Sequence, residues 1–212
     1  MEPFFKPELS RRNTSEKEPQ PDNIVELIDF LDSDELSQEI QKGDITLALI
    51  RSNLGTTTNQ LASDSEIAEI IEENITDLGM LAKFSIKFDF QAFEDFYDGE
   101  PKKVLLGLDP KRHNKFENRW EEFGNTIMAD GVTTVLLLHS PDGEAISKWR
   151  QQVGHRDIEN NRDPSTIRGK FGLDNYSTIV HGSDSPEAVK REIDIIKNCL
   201  IRSIDPKNHH IS

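Results

Sequence analysis

Cysteine is almost missing from this chain. Cys199 is the only one among 212 residues, so no disulfide can close within the chain and no thiolate cluster can hold a metal. Cys199 falls on an expected core helix, where an inert packing role is anticipated. Aromatic residues make up only 7% of the sequence, with two tryptophans and two tyrosines. No apolar run approaches the roughly 20 residues that span a bilayer. The N-terminus has no basic-plus-apolar signal pattern and is too acidic for an organelle transit peptide, so a reducing, cytoplasmic setting is expected. Positive charge is also in deficit. The chain has 25 Lys and Arg against 39 Asp and Glu, for a net charge of −14. Half of that excess lies in the first 44 residues, which hold 5 basic and 12 acidic side chains. Such a balance argues against non-specific binding to nucleic acid or to an anionic membrane.

Apolar periodicity organises what is present. Residues 1–22 carry four prolines and many charges and read as a disordered acidic leader. Over residues 23–44, Ile24, Leu27, Ile28, Leu31, Leu36 and Ile40 recur at roughly helical spacing. This amphipathic extension could dock on its own domain, on another subunit or on a foreign partner. The body of the chain is expected over residues 45–204, with a tail at 205–212. Ile45 to Ile50 reads as a buried strand, Ser63 to Ile75 as a helix, Met80 to Phe88 as a second strand and Phe90 to Tyr97 as a short helix. Residues 98–115 have glycines and prolines but no clean period, and read as an insertion. Lys115 to Ala129 looks helical, Val132 to Leu138 is the strongest strand and Gly143 to Gln152 suggests another helix. Val153 to Asn175 reads as a long polar loop, a kind usually functional or disordered in a compact domain. A fourth strand at Ser177 to His181 and a long helix from Pro186 to Ile201 complete the series. The order predicts an α+β fold, a ferredoxin-like four-stranded antiparallel sheet covered by helices.

One run stands apart chemically. Thr178-Ile179-Val180-His181-Gly182-Ser183-Asp184-Ser185 delivers an imidazole at a strand end, just before a helix that opens at Pro186. Phosphate chemistry needs a nucleophile or base beside an anion-friendly helix start. Upstream, Arg150, Arg156, Arg162 and Arg168 fall within nineteen residues. A basic island in an acidic protein suits a small anion. It could equally be a solvated loop in which Asp157, Glu159 and Asp163 pair with the arginines.

Thr166-Ile167-Arg168-Gly169-Lys170-Phe171, followed by His181-Gly182-Ser183-Asp184-Ser185, resembles the signature of the nucleoside diphosphate kinases. More weakly, the resemblance runs from about Ile45 to Leu200. It implies the fold just described. It also implies transfer of a γ-phosphoryl group from a nucleoside triphosphate to a nucleoside diphosphate, in ping-pong fashion through phospho-His181, with Mg²⁺ bound mainly by the nucleotide phosphates. Imidazole suits the relay because an unperturbed pKa of about 6.5 leaves a nucleophilic nitrogen at neutral pH.

By the same resemblance Glu192 orients His181, and Ser183 donates to the phosphoryl group or to the glutamate. An exposed helix carboxylate is the bland alternative for Glu192. Arg150 and Arg168 match phosphate-binding arginines, and Tyr97 matches a tyrosine near the reacting phosphate. Trp120, with Phe116 as the other candidate, would stack on the base. Three positions differ from the family pattern: Arg51 stands where the family has lysine, Arg156 where it has a phosphate-contacting threonine, and Thr178 where it has a sugar-contacting asparagine. These differences motivate an alternative, a nucleotide-binding or interaction module with reduced catalysis. The resemblance further implies a homo-oligomer.

Overall fold

Ser33 divides the N-terminal amphipathic stretch into two helices, where the periodicity alone suggests one. Helix α1 spans Ile24–Leu31 and α2 spans Asp34–Lys42. The Ser33 hydroxyl donates to the Phe30 carbonyl (2.8 Å) and accepts from the Leu36 amide (3.2 Å). It thereby ends one helix and caps the next, the competition with backbone bonding that short polar side chains offer. Gly43 ends α2 with φ at 83°, a left-handed conformation that only glycine adopts without strain. The computed structural model describes residues 24–51, 64–99, 132–157, 160–172 and 179–204.

The sheet contains β1 (Ile45–Ile50), β2 (Gly79–Ile86), β3 (Thr133–His139) and β4 (Val180–Gly182), in the order β2-β3-β1-β4 with every pairing antiparallel. Strand β1 is buried on both faces, which explains why five of its six residues are apolar, Thr46 being the exception. Its odd-numbered residues Ile45, Leu47 and Leu49 join Val135, Leu137 and Phe84 in one core layer; Ala48 and Ile50 join Leu136, Leu138 and Val180 in the other. A register shift between Met80 and Ala82 in β2 resets the alternation. Ala82, Phe84 and Ile86 are therefore buried while Leu81 is only half-buried.

Helices cover both faces. The first layer receives α1, α2, α4 (Phe90–Phe96) and α7 (Pro186–Ile204), through residues that include Leu27, Leu31, Leu36, Ile40, Phe93, Val189, Ile193 and Ile196. The second receives α3 (Asp64–Glu73) and α5 (Ala145–Val153), through Ile71, Trp149 and Val153. The polar segment read as a loop contains one further helix, α6 (Ile167–Phe171). Thr166 makes it possible: its hydroxyl donates to the Asp163 carbonyl (2.8 Å) and accepts from the Gly169 amide (3.2 Å). Gly169 is held so close to Asp163 that a Cβ would lie 1.7 Å from its carbonyl oxygen.

Apart from its first two residues, the expected insertion at 98–115 lies outside the described residues. So do the expected helix over 115–129, the leader, the tail and residues 177–178 of the expected fourth strand.

Candidate active site

Strand β4 is short and lies at the sheet edge, paired to β1 with Leu49 opposite His181. That pairing places the imidazole beside α7. Its Nε2 lies 3.0 Å from Glu192 Oε2. The Ser183 hydroxyl donates to the same oxygen at 2.6 Å. Arg191 approaches the other carboxylate oxygen at 3.6 Å. The Glu192 side chain is 4% exposed and that of His181 is 21% exposed, so the carboxylate is buried and the ring is partly open to solvent. Burial by itself would raise the Glu192 carboxyl. The adjacent His181 ring, the Ser183 hydroxyl and Arg191 outweigh it and hold the pKa below the ordinary value. Glu192 is therefore not the exposed helix carboxylate that its sequence neighbours allowed.

The start of α7 uses its own donors. Ser185 Oγ accepts from the Ala188 amide at 3.1 Å. Glu187 is pulled below its ordinary pKa by its own backbone amide and by the Ser185 hydroxyl. An anion placed here would compete with these groups, so the free helix start expected from the sequence is not what accompanies His181. The positive groups lie on other elements.

Arg168, on α6, is the centre of those groups. Its Nη1 donates to the Gly154 carbonyl (3.3 Å) and its Nη2 to the Val180 carbonyl (3.2 Å), next to His181. Its Nε is buried without a hydrogen-bond partner among the described residues. Burial first, and then the guanidinium groups of Arg51, Arg150 and Arg156, push its pKa down to about 10. Four cations thus share one neighbourhood. Arg150 and Arg156 are exposed. Of the four arginines in the sequence island, Arg162 turns elsewhere, donating to the Gly169 and Gly172 carbonyls (2.9 and 3.0 Å) to close the end of α6.

Arg51 follows β1, with its amide on the Ile179 carbonyl at 3.0 Å. Its Nη2 donates to the Tyr97 hydroxyl at 2.8 Å. Tyr97 is buried, and burial raises its phenol pKa although the Arg51 charge works against the rise. The sequence reading thus brought His181, Glu192, Ser183, Arg51, Tyr97, Arg150, Arg156 and Arg168 into one region. Trp120, Phe116 and Thr178 lie outside the described residues. Two neighbours of His181 went unnoticed in the sequence. Phe96 meets the imidazole edge-on, with ring centroids 5.1 Å apart. Trp149 donates its indole N–H to the His181 carbonyl at 3.2 Å. Each adjoins a residue that the motif did flag, Tyr97 and Arg150, and that adjacency was the only signal.

Comparison with known proteins converges on the same region. The sequence model described as nucleoside diphosphate kinase matches residues 111–198. The nucleoside diphosphate kinase of Corynebacterium efficiens is 51% identical over 102 residues, covering 44% of this chain and 74% of the relative. That of Nocardia farcinica is 42% identical over 73 residues, covering 34% of this chain. The chain spans about half the length of the Nocardia protein (51%) and 38% of a Corynebacterium diphtheriae relative. The nucleoside diphosphate kinase structure from Encephalitozoon cuniculi aligns with TM-score 0.51 at 22% identity, over 72% of this chain and 87% of the other. A family protein from Babesia bovis aligns with TM-score 0.50 at 20% identity, over 72% and 86%. These two likenesses show the fold. Among the described residues, no helix is long and apolar enough to cross a membrane. With most of the C. efficiens protein covered at half identity, and with that fold, the chain belongs to the nucleoside diphosphate kinase family.

Proposed function

We propose that this chain transfers the γ-phosphoryl group of a nucleoside triphosphate to a nucleoside diphosphate through phospho-His181. The observation that carries this reading is the division of the imidazole. Nε2 is engaged by Glu192 at 3.0 Å, which leaves Nδ1 as the nitrogen for attack. In the first half-reaction the Nδ1 lone pair forms a bond to the γ-phosphorus, the bond to the β-phosphate oxygen breaks, and the nucleoside diphosphate departs. In the second, a terminal oxygen of another nucleoside diphosphate attacks the same phosphorus and the P–N bond breaks, returning the lone pair to Nδ1. As the ring gains positive character, the Nε2–H donated to Glu192 gains strength, so the carboxylate favours the phosphorylated state.

Arg150, Arg156, Arg168 and Arg51 offset the phosphate charge, and Tyr97 backs Arg51. Fixed cations of this kind need no reorganisation when charge moves during transfer. The donor set around Arg168 is guanidinium rather than carboxylate, so a divalent cation fits this site as a passenger on the nucleotide. Mg²⁺ held by the phosphate oxygens would add charge neutralisation there. Trp120 is proposed to stack on the base, a contact that tolerates every base, and Thr178 to face the sugar. The reading extends to a homo-oligomer in the cytoplasm.

The direct test is phosphoryl exchange from ATP to a different nucleoside diphosphate, with wild type and His181→Ala side by side. Exchange and an acid-labile phosphate on the protein are expected in wild type and absent in the variant. Nucleotide binding without exchange in either protein would replace the kinase with a binding module.

A further inference from the structure

Among the described residues, Trp149 is the bulkiest side chain that the core buries completely. It lies on α5, immediately before Arg150. Its indole reaches the edge strand that carries the nucleophile, where its N–H donates to the His181 carbonyl at 3.2 Å. The next residue explains how the ring fits. A Cβ on Gly182 would come within 2.6 Å of both Cδ1 and Nε1 of the indole, so a side chain at 182 would drive the two apart. Across the imidazole, Phe96 presents its ring at a centroid distance of 5.1 Å. The His181 backbone is therefore held by the indole, and its side chain by Phe96 and Glu192. Strand β4 has three described residues and, among the described residues, pairs with β1 alone, so ladder bonds hold it on one side.

We infer that Trp149 is a positioning residue for His181: its indole N–H and ring set the height of the His181–Gly182 peptide. The imidazole then keeps Nε2 on Glu192 while Nδ1 faces the phosphate held by the neighbouring arginines. This rests on the phosphoryl-transfer reading. Because Trp149 and Arg150 are consecutive on one helix, a single turn of α5 touches both the phosphate-binding cluster and the backbone of the nucleophile. A shift of that turn displaces both reacting groups relative to each other, and misplacement of about 1 Å costs on the order of a hundredfold in rate.

The test compares Trp149→Phe with Val153→Ala, a change in the same core layer away from the His181 carbonyl. Three quantities are read: the single-turnover rate of His181 phosphorylation at saturating ATP, the ATP dissociation constant, and the ¹⁵N spectrum of the His181 ring. For Trp149→Phe the rate should fall roughly ten- to a hundredfold, with ATP affinity little changed. The ring should pass from one Nε2–H tautomer to a mixture. Val153→Ala should lower the thermal midpoint and leave the rate and spectrum unchanged.

Should Trp149→Phe fail to fold, benzothienylalanine at 149 preserves the ring shape and removes only the N–H. Its rate and spectrum then decide in the same way. A variant that loses stability alone, with wild-type rate and tautomer, overturns the inference. If wild type itself forms no phosphohistidine, the kinase reading fails. The ¹⁵N comparison still decides whether Trp149 fixes the ring.

Discussion

The two halves of the site are built on opposite electrostatic terms. Around His181 the polar groups are matched: the buried Glu192 takes the ring Nε2 and the Ser183 hydroxyl on one oxygen. Around Arg168 the groups repel: Arg51, Arg150 and Arg156 all press its pKa downward, and neither Arg150 nor Arg156 forms an ion pair among the described residues. The matched half is complete without a ligand. On the function proposed above, the repelling half would be relieved by the phosphates of a nucleotide. Burial of a charge is tolerated where a partner is built in.

The sharpest way to break the matched half is Glu192→Gln, which keeps shape and removes charge. The rate of phosphohistidine formation should fall about 10–100-fold, as for other second partners of a functional imidazole, with nucleotide affinity unchanged; rapid quench with ATP measures both. The same variant changes the pH response. Glu192 has a folded-state pKa below its unfolded value. Its contribution to stability is present above the unfolded carboxylate pKa of about 4.3 and is lost as pH falls through the lower folded value. Thermal midpoints between pH 3 and 7 should show a weaker acid dependence in Glu192→Gln than in wild type.

The repelling half is probed by filling it. Inorganic pyrophosphate at about 100 times its dissociation constant should stabilise the protein by roughly 2.7 kcal/mol, which is several degrees in thermal midpoint. Arg168→Met should lose most of that gain. An equal pyrophosphate shift in both proteins would remove Arg168 from the anion site. A smaller effect is expected from Arg156→Thr, since Arg156 is exposed and its field is screened by salt. Triphosphate affinity should weaken a few-fold at low ionic strength, with the difference shrinking in about 0.5 M salt.

Much of this was written in the residues, for identifiable reasons. The strands β1 and β3 announce themselves as largely apolar runs because both of their faces are covered, and the His-Gly-Ser-Asp-Ser and Thr-Ile-Arg-Gly sequences mark His181 and Arg168. Glu192 carries no local sign of burial. The resemblance names it, and the pitch of α7, which turns it toward β4, accounts for its burial against His181. The break at Ser33 and the helix at Ile167–Phe171 were missed because each depends on one hydroxyl serving as both donor and acceptor. Arg162 looked like its three neighbours in sequence, but carbonyl groups at the end of α6 claim it. Trp149 and Phe96 looked like ordinary core residues, and they are core residues. Their contact with His181 comes from two helices, α5 and α4, packing on opposite faces of the sheet, and is invisible along the chain.

The hydrogen bond from Arg168 to the Val180 carbonyl also bears on solubility. Strand β4 is an outer strand, and an outer strand with free carbonyls is a template for a strand from another molecule. The Arg168 guanidinium blocks one of those acceptors, using a charged group that a docking strand would have to displace and desolvate. Loss of Arg168 would therefore remove a gatekeeper as well as a proposed anion ligand. The Arg168→Met protein should self-associate at lower concentration than wild type even where its fold is intact.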